Sequence, residues 1–243
     1  MLSGGRMGRL KKLRITVTAL ALSVSAAFAA ASTYTVLWQG TLRVVHAGDT
    51  SGKVSLQQFA GKEHLYAVGP VAGLDGEVTA IGGKFYIARV RHGEIKTDDN
   101  LSTSASFLVW SEIAAWKPSV PLGVQVGNHT QLEQLLEALA LQAGMDITKP
   151  FPFKLDGVFD SIDYHILVPQ SHAQAHGGHR DGAKKMSAKK TEATMIGFFS
   201  KNHEGVFTHR GSFAHLHVVE RNGNSGHVDD LVAHANVSVS FPQ

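Results

Sequence analysis

The sequence predicts a mostly β protein with few helices. Short runs of β-branched and aromatic residues recur from Tyr34 onward, and pairs such as Gly-Asp, Gly-Gly and His-Gly interrupt them. Only one long segment has apolar residues at clear helical spacing. With 43% hydrophobic and 18% charged residues in a chain of 243, a sizeable core can be buried. We therefore expect sheets to carry the fold.

The N-terminal leader, residues 1–29, has the three parts of a secretory signal peptide. A basic stretch is followed by an apolar stretch over residues 15 to about 24, and Ala27-Phe28-Ala29 matches an A-x-A cleavage signal. We expect cleavage near Ala29 and a secreted or periplasmic protein. The alternative is an uncleaved anchor, although the apolar run is short for a bilayer span. No later run reaches about 18 apolar residues, so we expect no membrane span after cleavage.

The basic charge of the chain lies in that leader. The full sequence holds 23 Lys and Arg against 20 Asp and Glu, a formal net charge of +3. Five bases and no acids precede residue 30, which leaves 18 bases against 20 acids, or −2, in the remainder. A nearly neutral mature chain argues against nucleic acid as a partner. Cysteine is absent, so any metal must be bound by histidine and carboxylate groups.

The mature chain divides into two β-rich halves, 30–147 and 148–243. Predicted strands of the first half cover Thr35–Trp38, Leu42–His46, Val78–Ile81, Phe85–Arg91 and Ser106–Trp110. Thr130 and Glu133 match a capping box, and leucines at helical spacing follow. This pattern predicts one helix from about residue 130 to Gly144, which is typical of a C-terminal stop.

In the second half a strand pattern runs from Phe151 to Pro169 and resumes at Thr194. Its later predicted strands cover Met195–Phe199, Ser212–Val219, Val228–His234 and Val237–Phe241. Between them, residues 170–190 are polar, contain glycine and lack an apolar period, which predicts a disordered, mobile loop. The loop histidines could scavenge metal, but a solvated loop is the favoured interpretation of His172, His176 and His179.

The densest cluster of candidate metal ligands lies near the C-terminus. His215 and His217 are two apart on a predicted strand, so both imidazoles point to one face. The turn-rich segment that follows predicts a hairpin, and a five-residue loop, 220–224, would pair His217 with His227. Three converging imidazoles suit Zn²⁺ with a fourth position open, as in catalytic sites, although other divalent metals also fit. The alternative is a polar strand face without a metal.

A candidate carboxylate, Glu77, lies in the segment GLDGEV at 73–78. One interpretation is a solvent-facing acid at the start of a hairpin. The other is a carboxylate held near the metal for proton transfer. Spacing alone favours neither.

Six short blocks add a resemblance to these patterns. They are LDGE at 74–77, GKFY at 83–86, FKLDGVF at 153–159, IGFF at 196–199, HLH at 215–217 and GHV at 226–228. In this order, and over most of residues 35–240, they resemble the α-acetolactate decarboxylase family. The resemblance implies an α+β fold of two sheet-based halves, with zinc on an antiparallel hairpin of the C-terminal sheet.

The resemblance also implies an activity, the zinc-dependent conversion of 2-acetolactate to acetoin and CO₂. His215, His217 and His227 match the family's zinc ligands, and Glu77 matches a catalytic glutamate. Zinc would polarise the ketone beside the scissile bond, and the carboxyl group would act as acid and base. Lys154 stands where the family has arginine, so it would attract the substrate carboxylate as a point charge. No acid follows Asp230, so we expect the family's further C-terminal glutamate to be missing or supplied from elsewhere.

The leading hypothesis is therefore an exported acetolactate decarboxylase that acts on a small 2-hydroxy-3-oxo acid and binds Zn²⁺ or another divalent metal. Two alternatives remain open. One is a periplasmic zinc-binding protein without turnover, and the other is a sister enzyme for another 2-hydroxy-3-oxo acid. A homodimer is possible because a two-sheet protein has edge strands that can pair.

Overall fold

The computed structural model of this chain describes Met1 and residues 34–169 and 182–243. The predicted signal peptide and residues 170–181 of the predicted loop, with its three histidines, lie outside this part. The helices are α1 Leu42–His46 and α2 His129–Gln142, with 3₁₀ turns at Leu56–Phe59 and Ala72–Leu74. The strands are β1 Leu37–Gln39, β2 Val54–Ser55, β3 Leu65–Pro70, β4 Glu77–Ile81, β5 Lys84–Arg91, β6 Glu94–Asp98, β7 Ser104–Ala105, β8 Leu108–Glu112, β9 Val120–Pro121, β10 Phe151–Ile166, β11 Lys184–Phe199, β12 Ala214–Glu220, β13 Ser225–Ala233 and β14 Ser238–Ser240.

Six antiparallel strands form the first sheet, in the order β1-β8-β3-β4-β5-β6. Successive side chains of a strand face opposite sides of its sheet. On β4, Val78 and Ala80 therefore join an apolar core of the first half, whereas Glu77 and Thr79 face the second sheet. This strand brings polar side chains of the first half to the boundary between the sheets.

The second sheet has the order β11-β12-β13-β10-β14-β9, and β10 also pairs with β11. The strands β10 to β13 consequently form a closed ring of hydrogen-bonded neighbours. Phe153, Leu216 and Val218 belong to the largest apolar cluster of the described residues, which also includes Leu132 and Leu136 of α2. His215 and His217 alternate with those residues along β12, so their imidazoles point out of the ring toward the first sheet.

The prediction of a mostly β protein with two sheet-based halves and few helices is confirmed. The two sheets pack within one unit, Ser32–Gln243. The halves are not wholly separate along the chain, because β9, from the first half, joins the second sheet by pairing with β14. No helix in the part of the chain that the structure describes is long and apolar enough to cross a membrane.

The one long helix, α2, begins earlier than its capping-box pattern predicts. Asn128 is the N-cap, and its side chain accepts a hydrogen bond from the backbone N–H of Gln131 at 2.9 Å. Asparagine is a strong N-cap residue, so the predicted cap on Thr130 is wrong. Glu133 instead lies 3.2 Å from Nε2 of His129 and accepts hydrogen bonds from the chain before β12. Gly144, at φ +75°, follows the helix end as predicted.

Two other predictions of local structure are wrong. The run Leu42–His46 was predicted as a strand because it contains two valines, but it forms α1. Thr41 caps this turn, and Leu42 and Val45, three apart, are buried on its inner side. Tertiary packing therefore overrides the β preference of valine.

Part of the predicted disordered loop, residues 184–190, is instead a strand. Lys184–Lys190 form the first part of β11, where Lys184 pairs with Ile166 and Lys189 with Ser161. This segment lacks an apolar period because most of its side chains lie at the surface. Its backbone pairs with the long strand β10. This pairing joins distant segments, so no local sequence pattern predicts it.

Candidate metal centre

The hairpin of β12 and β13 has the register that its loop length predicts. His217 pairs with His227, and Val219 pairs with Ser225. A Cβ on Gly226 would lie 2.6 Å from the carbonyl oxygen of His165, so glycine lets β10 approach the hairpin closely. The hairpin therefore brings the ligand candidates together, and its packing leaves them at most 6% exposed.

The three imidazoles of His215, His217 and His227 converge on one point. Nε2 of His215 lies 3.1 Å from Nε2 of His217 and 3.1 Å from Nδ1 of His227. All three candidate ligand atoms lie within 4.8 Å of one another. A tetrahedral ion with Zn–N distances of 2.0–2.1 Å would separate two ligand nitrogens by about 3.3 Å. Two of the three separations therefore match those around a tetrahedral ion, and the arrangement could hold a divalent metal.

Hydrogen bonds to the other ring nitrogens orient two of these imidazoles. Nδ1 of His215 donates to the carbonyl oxygen of Phe207 at 2.7 Å, which leaves the lone pair on Nε2. Nδ1 of His217 lies 3.0 Å from Oγ1 of Thr79, which also bonds Ser225 at 2.8 Å. Such partners hold a metal-binding imidazole in one orientation and tautomer.

Burial favours the neutral form of two ligand candidates, His217 and His227. Desolvation lowers the pKa of His217 and of His227 well below the ordinary histidine value, and neighbouring imidazoles, His215 first among them, lower it further. A neutral imidazole has the lone pair that a metal requires. The chemistry of the donor set thus matches its geometry.

The structure places Glu77 beside this triad. Its side chain is 3% exposed, and Oε2 lies 3.8 Å from Nε2 of His217. The alternative of a solvent-facing acid is therefore wrong, although the catalytic role of Glu77 stays a prediction. Burial raises the pKa of Glu77 well above its ordinary value, the charge of Asp229 adds to this, and the N–H of Leu167 opposes it.

Lys154, the predicted partner of a substrate carboxylate, is not brought to the same point. Its Nζ lies 3.0 Å from Oδ2 of Asp156 and 5.9 Å from the ring centroid of Trp116. Lys154 does not line the cavity beside the triad. Its role stays a prediction, which requires the ammonium group to leave Asp156.

A small cavity of about 50 Å³ opens beside the triad. Its lining residues are Leu42, Val45, His46, Pro70, Leu74, Glu77, Phe107, His165, Leu167, His209, His215 and His227. Sequence reasoning missed His46, His165 and His209. His165 lies opposite His227 across the β10–β13 pairing, and this long-range register has no local sequence signal.

The fold and site together define a class of protein: two packed β sheets that enclose a small cavity beside a buried three-histidine centre able to hold a metal ion. The sequence places the chain more narrowly. The family model of alpha-acetolactate decarboxylase matches residues 37–243, and the chain belongs to this family. A comparison with curated protein sequences gave no match.

Solved structures support the fold. Alpha-acetolactate decarboxylase from Bacillus subtilis strain 168 is 18% identical, with a TM-score of 0.69, over 86% of this chain and 85% of that one. The acetolactate decarboxylase of Bacillus subtilis subspecies spizizenii is 17% identical, with the same TM-score and coverage. A Staphylococcus aureus protein of unknown function, described as similar to alpha-acetolactate decarboxylase, is 18% identical, with a TM-score of 0.66 over 86% and 84% of the chains. At these identities the likeness shows a shared fold.

Proposed function

We propose that this protein is a metal-dependent decarboxylase of a small 2-hydroxy-3-oxo acid, with 2-acetolactate as the leading substrate and acetoin and CO₂ as products. The observation that carries the proposal is the position of one buried carboxyl group, Glu77, against a buried three-histidine centre in a small cavity. Membership of the alpha-acetolactate decarboxylase family supports the choice of reaction.

In this proposal His215, His217 and His227 hold the metal, and zinc is preferred because three neutral imidazoles with an open position suit it. When bound, the metal supplies a Lewis acid that stabilises negative charge on the substrate oxygens. The apolar lining, which includes Leu74 and Phe107, limits water around the reacting group.

Glu77 supplies the proton. Loss of CO₂ breaks the bond between the carboxylate carbon and C2, and the electron pair of that bond stays on the substrate. Burial raises the pKa of Glu77 and so favours its protonated form, which can act as an acid. Delivering that proton to C2 gives the product, and a proton from solvent then restores the carboxyl group. Delivery from one side would make the product a single enantiomer.

The decisive experiment incubates metal-loaded protein with racemic 2-acetolactate and follows CO₂ and acetoin. We expect both products, about one tightly bound metal per chain and one acetoin enantiomer in excess. Glu77→Gln is the matched variant, since it keeps the shape of the side chain but has no acidic proton. We expect it to retain the metal and lose acetoin formation.

Three results would contradict parts of this proposal. Activity that survives Glu77→Gln removes the proton-transfer role. A metal-loaded protein that leaves acetolactate unchanged but decarboxylates another 2-hydroxy-3-oxo acid is the sister enzyme. Several weakly bound metals without turnover favour sequestration.

We further propose that the chain is exported, on the support of its leader composition. N-terminal sequencing of protein from the periplasm or medium should find a start just after Ala29. Protein that stays in the cytoplasm with residues 1–29 intact would overturn the proposal.

A further inference from the structure

One buried histidine of the cavity has no part in the metal triad. His165, at the end of β10, is 5% exposed, and its ring centroid lies 4.9 Å from that of His227. It lines the cavity together with Glu77. The ring is therefore within reach of a molecule bound between the metal centre and the acid.

A carboxylate fixes the orientation of this ring. Both oxygens of Asp229 lie 2.9 Å from Nδ1 of His165. Asp229 and His165 also line a second, outer groove, so the carboxylate holds the ring from the outer side. Within the described residues, Nε2 of His165 makes no hydrogen bond. This nitrogen is therefore available to a ligand in the cavity that His165 lines.

The contact with Asp229 also determines which kind of group Nε2 of His165 can bind. A carboxylate only accepts hydrogen bonds, so Nδ1 of His165 is the donor to Asp229, and in this tautomer Nε2 carries the lone pair. Nε2 is then an acceptor, and it requires a donor on the ligand. A 2-hydroxy-3-oxo acid, ionised at neutral pH, has one good donor, its hydroxyl group.

We propose that His165, held by Asp229, accepts a hydrogen bond from the 2-hydroxyl group of the substrate and thereby selects 2-hydroxy acids. The inference rests on the proposed function for the identity of the reaction. His165 would recognise the hydroxyl group of the substrate, a role that we assign neither to the histidine triad nor to Lys154. A substrate with a methyl group in place of the hydroxyl would leave Nε2 buried without a hydrogen-bond partner. The desolvation of that unpaired acceptor would weaken binding.

The test is a binding measurement that needs no turnover. The probes are 2-hydroxyisobutyrate and pivalate, which share a carboxylate and differ by one hydroxyl in place of a methyl group. Their dissociation constants are measured by calorimetry on the metal-loaded protein. We expect the wild type to prefer 2-hydroxyisobutyrate. Because the metal can also bind the hydroxyl group, the preference must be compared between the wild type and variants of His165.

Two substitutions separate the two edges of the ring. His165→Asn keeps a donor near the position of Nδ1 for Asp229 but leaves nothing at Nε2. His165→Gln places an amide near the position of Nε2. We expect His165→Asn to reduce the preference about tenfold, the loss of one buried hydrogen bond, and His165→Gln to retain more of it. His64→Asn, at an exposed histidine, should leave the preference unchanged.

Metal content and the circular dichroism spectrum verify that each variant is folded. An unchanged preference in His165→Asn overturns the proposal, as does an absence of preference in the wild type. Equal weakening of both ligands would mean that His165 binds the carboxylate, which overturns it too. A clear preference that depends on His165, in a protein that forms no acetoin, would leave this inference intact and refute only the proposed reaction.

Discussion

At the residue scale, the buried hydroxyl of Thr79 decides how one ligand is presented. Thr79 comes from the first sheet, yet its Oγ1 lies 3.0 Å from Nδ1 of His217 and 2.8 Å from Oγ of Ser225 in the second. Thr79 and Ser225 therefore hold the imidazole of His217 in one orientation without a metal. Partners of this kind influence metal affinity although they never touch the metal.

Thr79→Val removes the hydroxyl at nearly constant volume. We expect metal affinity to fall about 10- to 100-fold, because the imidazole of His217 loses its orienting partner. Competition with a chromogenic chelator measures this. Thr97→Val is the matched control, since the buried hydroxyl of Thr97 has no hydrogen-bond partner. Equal affinity loss in both variants would show that Thr79 acts only through packing.

Lys154 gives a second prediction at this scale. Since its ammonium pairs with Asp156, the placement predicts that Lys154→Met changes the KM for 2-acetolactate by less than about fivefold, the range of a partly exposed ion pair. Steady-state kinetics at saturating metal measures KM. A much larger increase would establish the role that the family resemblance implies, with the ammonium redirected to the substrate carboxylate.

At the scale of elements, α2 is joined to the ligand strand by one carboxylate. Oε1 of Glu133 accepts hydrogen bonds from the backbone N–H groups of Phe213 at 2.7 Å and Ala214 at 2.9 Å, just before His215. Oγ of Ser212 adds a third bond at 2.6 Å. The side chain that resembles half of a capping box therefore fixes the start of β12.

This contact predicts a pH dependence of stability. Burial alone would raise the pKa of Glu133, but the nearby His129 side chain and the hydrogen bond from Ser212 outweigh burial and hold the pKa below the ordinary value of 4.5. An acid with a lowered pKa in the folded state stabilises it above the unfolded value, and the contribution is lost as pH falls through the folded pKa. The contribution is therefore complete at neutral pH.

Glu133→Gln should lower the free energy of unfolding by about 1–3 kcal/mol at pH 7, and the difference from wild type should shrink below pH 4.5. Urea unfolding at pH 7 and at acid pH measures it. Glu137→Gln, one turn later and paired with Lys201 near the surface, is the control and should cost less. A difference that stays constant with pH would contradict the assigned ionisation.

At the scale of the whole molecule, the candidate site joins the two sheets. The ligand histidines come from β12 and β13, whereas Glu77 and Thr79 come from β4. A metal bound here would stabilise the folded chain by mass action, about 2.7 kcal/mol at a hundredfold excess over its Kd. Removing the metal should therefore destabilise the packing of both halves together.

Thermal unfolding with and without a strong chelator tests this. We expect the chelator to lower the Tm of the metal-loaded wild type in a single transition. His217→Ala, which lacks a ligand, should show no such shift. A chelator effect of equal size in that variant would place the stabilising metal elsewhere.

The sequence predicts contacts between residues that are close along the chain better than contacts between distant segments. The register of the β12–β13 hairpin follows from a loop of five residues, so the pairing of His217 with His227 was predictable. Thr79 and His165 reach the site from far along the chain, and no local pattern gives the register of such distant strands. The error at Leu42–His46 has the same origin, since packing between distant segments outweighs local preference.

The closed ring of β10 to β13 has a consequence for encounters between molecules. The strands that carry the candidate ligands, β12 and β13, are paired on both edges at His217 and His227, so around these residues no backbone edge is open to strand exchange or to growth of an aggregate. The first sheet ends instead in β1, of three residues, and in β6, which carries Lys96 and the two acids Glu94 and Asp98. Short and charged margins resist intermolecular pairing. At high protein concentration, the edges of the first sheet should therefore resist strand pairing between molecules. The candidate metal ligands do not lie on edge strands.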